Sequence, residues 1–83
     1  MNRKNYYIKL NNADEVKNFN AKICTMDGNY DLSSGRYVID AKSILGIFSL
    51  DLSKEILLTV HNAEELEEMK EKVGQYIVRE AFL

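Results

Sequence analysis

The sequence predicts an α+β open-faced sandwich, a four-stranded antiparallel sheet with three helices on one face. Two observations carry most of that reading. Short runs rich in aromatic and branched residues alternate along the chain with stretches whose apolar residues recur at helical spacing. Two of those helical stretches are opened by an asparagine with a glutamate three residues on, Asn12 with Glu15 and Asn62 with Glu65. The third observation is one of length: 83 residues with no proline and no polar linker leave room for one domain, residues 1–83.

Tyr6-Tyr7-Ile8-Lys9-Leu10 opens the chain as a strand with one face inward, since aromatic and branched residues fit a pleated, half-buried surface. Asn12 then caps a helix: its side chain can accept from first-turn amides, and Glu15 favours the positive end of the helix dipole. Val16, Phe19 and Ile23 fall on one face of that helix and are its core side. Asp27-Gly28-Asn29 turns the chain back.

Tyr30-Asp31-Leu32 and Arg36-Tyr37-Val38-Ile39-Asp40 are two strands of an antiparallel hairpin joined by Ser33-Ser34-Gly35, with Gly35 at a positive φ. Ser43 is a good N-cap for a short helix over residues 43–50, weakened at Gly46 by about 1 kcal/mol relative to alanine. Glu55-Ile56-Leu57-Leu58-Thr59-Val60-His61 is a strand suited to the middle of the sheet. Beyond the cap at Asn62, the stripe Leu66, Met69, Val73, Tyr76 and Ile77 predicts one long C-terminal helix.

The composition is that of a chain that folds, 46% hydrophobic and 29% charged. A net charge of −2 argues against nucleic acid or an acidic membrane as partner. No apolar stretch approaches the length of a spanning helix and no signal-like segment follows the polar start, so no membrane insertion and a cytoplasmic location are expected. Cys24 is the single cysteine and His61 the single histidine, which leaves no disulfide and no metal-ligand cluster. Cys24 reads as a small core residue at a helix end, and His61 as a surface or edge residue. With no paired nucleophile and base, no phosphate-cradling glycine loop and no metal spacing, neither an enzyme nor a cofactor site is expected.

Ala41-Lys42-Ser43-Ile44-Leu45-Gly46-Ile47-Phe48-Ser49-Leu50 resembles the stretch Lys-Ser-Ile-Met-Gly-Val-Met-Ser-Leu of HPr, the small phosphocarrier of the bacterial sugar phosphotransferase system. Chain length, element order and the hairpin before the segment are similar to that family as well, so the resemblance covers nearly the whole chain and implies an HPr-like sandwich. In the family, the first strand leads into Gly-Ile-His-Ala-Arg-Pro, whose histidine receives a phosphoryl group at a helix N-terminus. Here the corresponding segment is Asn11-Asn12-Ala13-Asp14-Glu15-Val16-Lys17, without histidine, arginine or proline. Asparagine amides are not nucleophiles, and Asp14 with Glu15 would repel an incoming dianion; these acids read as servants of the helix dipole.

Two further features come with the resemblance. Ser43 aligns with the serine that a dedicated kinase phosphorylates in HPr of many Gram-positive bacteria, while its placement is equally that of an ordinary helix cap. Ile44, Leu45 and Phe48 match apolar residues that form a docking surface for enzymes and a transcriptional regulator. The expected function is therefore an HPr-like, non-catalytic binding or regulatory protein linked to the sugar phosphotransferase system, with a protein partner of unspecified identity and no histidine phosphorylation of its own. The alternative is an HPr-fold structural or interaction domain unrelated to sugar transport. The sequence leaves the oligomeric state open.

Overall fold

A computed structural model describes residues 3–83. Its sheet has five strands, β1 (Lys4–Ile8), β2 (Tyr30–Ser34), β3 (Tyr37–Asp40), β4 (Ile56–Val60) and β5 (Ile77–Ala81), with three helices, α1 (Ala13–Ile23), α2 (Ile44–Phe48) and α3 (Leu66–Val73). The strands lie in the order β3-β2-β4-β1-β5 and every neighbouring pair is antiparallel.

Period-two alternation decides which side of the sheet is covered. Tyr6, Leu58, Leu32 and Ile39 stand opposite one another across four strands. The first three are buried and Ile39 packs against them, in one core with Val16, Phe19 and Ile23 of α1, Ile47 of α2 and Met69 and Val73 of α3. The intervening residues Tyr7, Asp31, Ser33, Val38, Leu57 and Thr59 face the other way, where no helix lies among the described residues. Burial of the α1 side chains alone contributes roughly 1.5–3 kcal/mol each.

Local signals at the first helix act as the sequence predicts. Asn12 Oδ1 accepts from the Glu15 amide at 2.9 Å, and Glu15 Oε1 accepts from the Asn11 amide at 2.8 Å. The hairpin is tighter than expected. Its strands run to Ser34 and resume at Tyr37, leaving Gly35 and Arg36 as a two-residue turn with Gly35 at φ 60°. A positive φ at the first turn residue alone is the type II′ pattern, whose twist suits the flanking strands.

The C-terminus corrects the sequence reading: the sheet has five strands instead of four, and the long helix is not formed. Helix α3 ends at Val73, Gly74-Gln75-Tyr76 make one 3₁₀ turn, and the chain enters β5. Tyr76 still points inward, its ring edge-on to Phe19 at 6.0 Å, so the apolar stripe is kept while the helix is not. Two terms oppose the helix. Gly74 costs about 1 kcal/mol against alanine in a helix, and β1 would otherwise present a row of unpaired backbone groups. The Lys9 amide donates to the Tyr76 carbonyl at 3.0 Å where the new ladder begins, and Ile8 then stands opposite Ile77.

Cys24 is a second correction. It is exposed at the C-cap of α1, because Ile23 takes the inward position and Met26 fills the space that follows. His61 lies just past β4, half-buried, with ring Nε2 2.6 Å from Asp31 Oδ2. The register sets Val60 beside Lys4 and Ile56 beside Ile8, so His61 and the segment after β1 are at opposite ends of the sheet. Among the described residues, no helix is long and apolar enough to cross a membrane.

Candidate functional site

The residues singled out by sequence, Ser43, Ile44, Leu45 and Phe48, gather on α2 and its cap. The connection that delivers the chain to α2 is held against the end of α1. Asn20 Nδ2 donates to the Ala41 carbonyl at 3.2 Å, Lys42 Nζ donates to the Met26 carbonyl at 2.6 Å, and Cys24 Sγ lies 3.5 Å from the Lys42 carbonyl. On the other side, the Ser43 amide donates to the Asp40 carbonyl at 2.9 Å and Asp40 Oδ1 accepts from the Lys42 amide at 2.9 Å. A five-residue helix has little stability of its own, so these contacts and its packing fix where it sits.

Ser43 is the N-cap. Its backbone is extended, at φ −94° and ψ 106°, and its hydroxyl oxygen accepts from the Gly46 amide at 3.2 Å. The hydroxyl is on the surface. One turn on, the helix divides into two faces. Ile47 is fully buried and Ile44 is half-buried against the core, whereas Leu45 is 80% exposed and Phe48 43% exposed. Leu45 and Phe48 are three residues apart and so share the outward face. Of the three apolar residues expected to contact a partner, two are therefore presented to solvent and Ile44 mainly anchors the helix.

Gly46 has a packing reason as well as a helix penalty. A Cβ built there would lie 3.2 Å from Ile39 Cβ and 3.2 Å from Ser43 Oγ, tighter than ordinary contact. Glycine lets α2 settle closely on β3 and keeps the cap unhindered.

An open groove of about 460 Å³ continues from the end of α2 to the hairpin, lined by Ser34, Gly35, Arg36, Tyr37, Ser49, Leu50 and Asp51. Tyr37, 74% exposed, stands across it from the end of the helix. Asp51 Oδ1 accepts from the Ser53 hydroxyl at 2.6 Å and from the Ser53 amide at 3.1 Å, and these bonds hold its carboxyl below the usual range. Sequence reasoning missed Arg36 and Tyr37 as site residues. The available signal was an aromatic and a branched residue immediately after a tight turn, which marks a strand but does not say that the strand is at an edge.

Asn12 is engaged as the cap of α1 and Glu15 returns to the Asn11 amide, so both serve the helix start. Among the described residues, no group of three or more His, Cys, Asp or Glu side chains is disposed to hold a metal ion. No protein-family model, no curated protein and no solved structure matches the chain.

Proposed function

We propose that this is an HPr-like, non-catalytic binding or regulatory protein of the cytoplasm, linked to the sugar phosphotransferase system, which docks a protein partner through the outward face of α2. The observation that carries the reading is the pair Leu45 and Phe48, apolar and exposed on a helix whose inner face is already filled by Ile47. Exposed apolar side chains that share one face favour association over solvation. The sequence match over residues 41–50 and the element order as far as α3 support the family assignment. The absence of a histidine after β1 supports a role without phosphoryl carriage. Ser43 at the rim of the face supplies a point of control, since a phosphate there would place about −2 charge beside the apolar contact.

A specific observation favours the second reading, an interaction domain of the same fold unrelated to sugar transport. The fifth strand replaces the end of the expected C-terminal helix and gives the molecule a different edge. Calorimetric titration against the enzymes and the transcriptional regulator that bind HPr separates the two. The proposal expects saturable binding by one of them, weakened at least tenfold by Leu45→Asp or Phe48→Asp while the circular dichroism spectrum is unchanged. No binding to any of them removes the link to sugar transport and leaves the second reading.

A further inference from the structure

We propose that the free edge of the sheet at β3 is a self-association surface, on which β3 of a second copy of this chain adds antiparallel about a two-fold axis at Val38. This goes beyond the docking role of α2 and rests on the free backbone edge of β3; Arg36 and Tyr37 also line the groove beside α2.

The two edges of the sheet are not alike. At β5 the register with β1 shifts between Tyr7 and Ile8, and such an irregularity twists an edge away from further pairing. At β3 the register with β2 is regular from Tyr37 to Asp40. Tyr37 and Val38 are 74% and 64% exposed, so neither side chain is covered by the rest of the chain.

The hairpin fixes which backbone groups are free. A two-residue turn makes Ser34 and Tyr37 a hydrogen-bonded pair, and alternation makes Leu32 with Ile39 the next. The Ala41 amide donates to the Tyr30 carbonyl at 2.8 Å, which continues the same phase. Val38 and Asp40 therefore turn their backbone groups outward. The Asp40 carbonyl is already used by the Ser43 amide, and Val38 is the residue with both groups free for another strand.

Self-pairing centred on Val38 sets Val38 opposite Val38, Tyr37 opposite Ile39, and Arg36 opposite Asp40. The last pairing occurs twice and joins opposite charges on the uncovered face. Among the described residues, Arg36 forms no ion pair, and the Asp40 carboxylate accepts only from the Lys42 amide. Sliding the axis to Asp40 would set two carboxylates face to face, which opposes that register. The strand and the turn residue before it thus carry their own complement, and this selects a second copy as the occupant. A four-residue edge forms few bonds, so association belongs at high protein concentration.

Sedimentation equilibrium tests the proposal. The wild-type mass is expected to rise from 9.6 kDa towards twice that value as the protein approaches millimolar concentration. Arg36→Glu alone and Asp40→Arg alone each place like charges opposite and should dimerise at least tenfold more weakly. Mixed together they should recover a dimer, because each then meets its opposite. Val38→Glu should also remain monomeric, and it decides the matter if Asp40→Arg fails to fold, whereas Leu45→Asp should dimerise as the wild type does. A wild type that stays monomeric throughout, a Val38→Glu protein that dimerises normally, or folded single-charge variants that fail to recover on mixing would overturn the proposal.

Discussion

Glu65 shows how one residue can satisfy a sequence signal and do something else. Its spacing from Asn62 suggests a capping pair, and Asn62 Oδ1 does cap the turn by accepting from the Glu64 amide at 3.0 Å. The Glu65 carboxylate instead crosses to the loop before β2, where it accepts from the Gly28 amide at 3.0 Å and from the Tyr30 hydroxyl at 2.6 Å. Nothing in the local sequence specifies that reach, since Gly28 and Tyr30 are brought near only by the folded sheet. Glu65→Ala should cost about 1–3 kcal/mol in urea unfolding by leaving a backbone donor and a phenol without their partner. Burial, and then the hydrogen bond to Glu65, hold the Tyr30 hydroxyl well above the ordinary tyrosine range. Unfolded tyrosine ionises near pH ~10 while the folded group keeps its proton, so stability is full below that pH and falls as pH climbs above it. Urea midpoints measured from pH 8 upward should show this fall, and Tyr30→Phe should flatten it. Ser43→Ala should cost about 1 kcal/mol by removing the cap of α2. If Ser43 is the regulated residue, the same variant should lose the label given by an HPr serine kinase and ATP, as read by peptide mass mapping.

At the scale of elements, what was legible was the period, and what was not was the competition between elements. The inward set of α1 is Val16, Phe19 and Ile23, as the spacing requires. For α2 the sequence could say that some of Ile44, Leu45 and Phe48 must face inward but not which, because a helix this short has no full stripe to orient it. The close approach of Gly46 to Ile39 settles the rotation. Tyr76 and Ile77 are compatible with both a helix and a strand, and the choice was made by the open edge of β1, which is a fact about residues seventy positions away. Phe48→Asp should therefore remain folded, with a urea midpoint close to the wild type, because much of the ring is already in solvent. Ile47→Asp should unfold the protein, since Ile47 is fully buried and a carboxylate there would lack any partner.

For the whole molecule, Lys9 ties the segment that opens α1 to the loop that follows α2, its Nζ donating to Asn11 Oδ1 at 3.1 Å and to the Leu52 carbonyl at 3.0 Å. Incubation with phosphoenolpyruvate and the general phosphotransferase enzyme should yield no stoichiometric acid-labile phosphate, because Asn11 and Asn12 stand after β1 and offer no nucleophile. The proposed docking role depends on the outward face of α2, and the most direct measurement is an amide-resolved nuclear magnetic resonance titration with the partner found by calorimetry. The largest shifts should fall at Ser43, Leu45, Phe48 and the Tyr37 side of the groove. Shifts concentrated on the uncovered sheet face around Tyr7, Thr59 and Arg79, with α2 unmoved, would contradict the docking role.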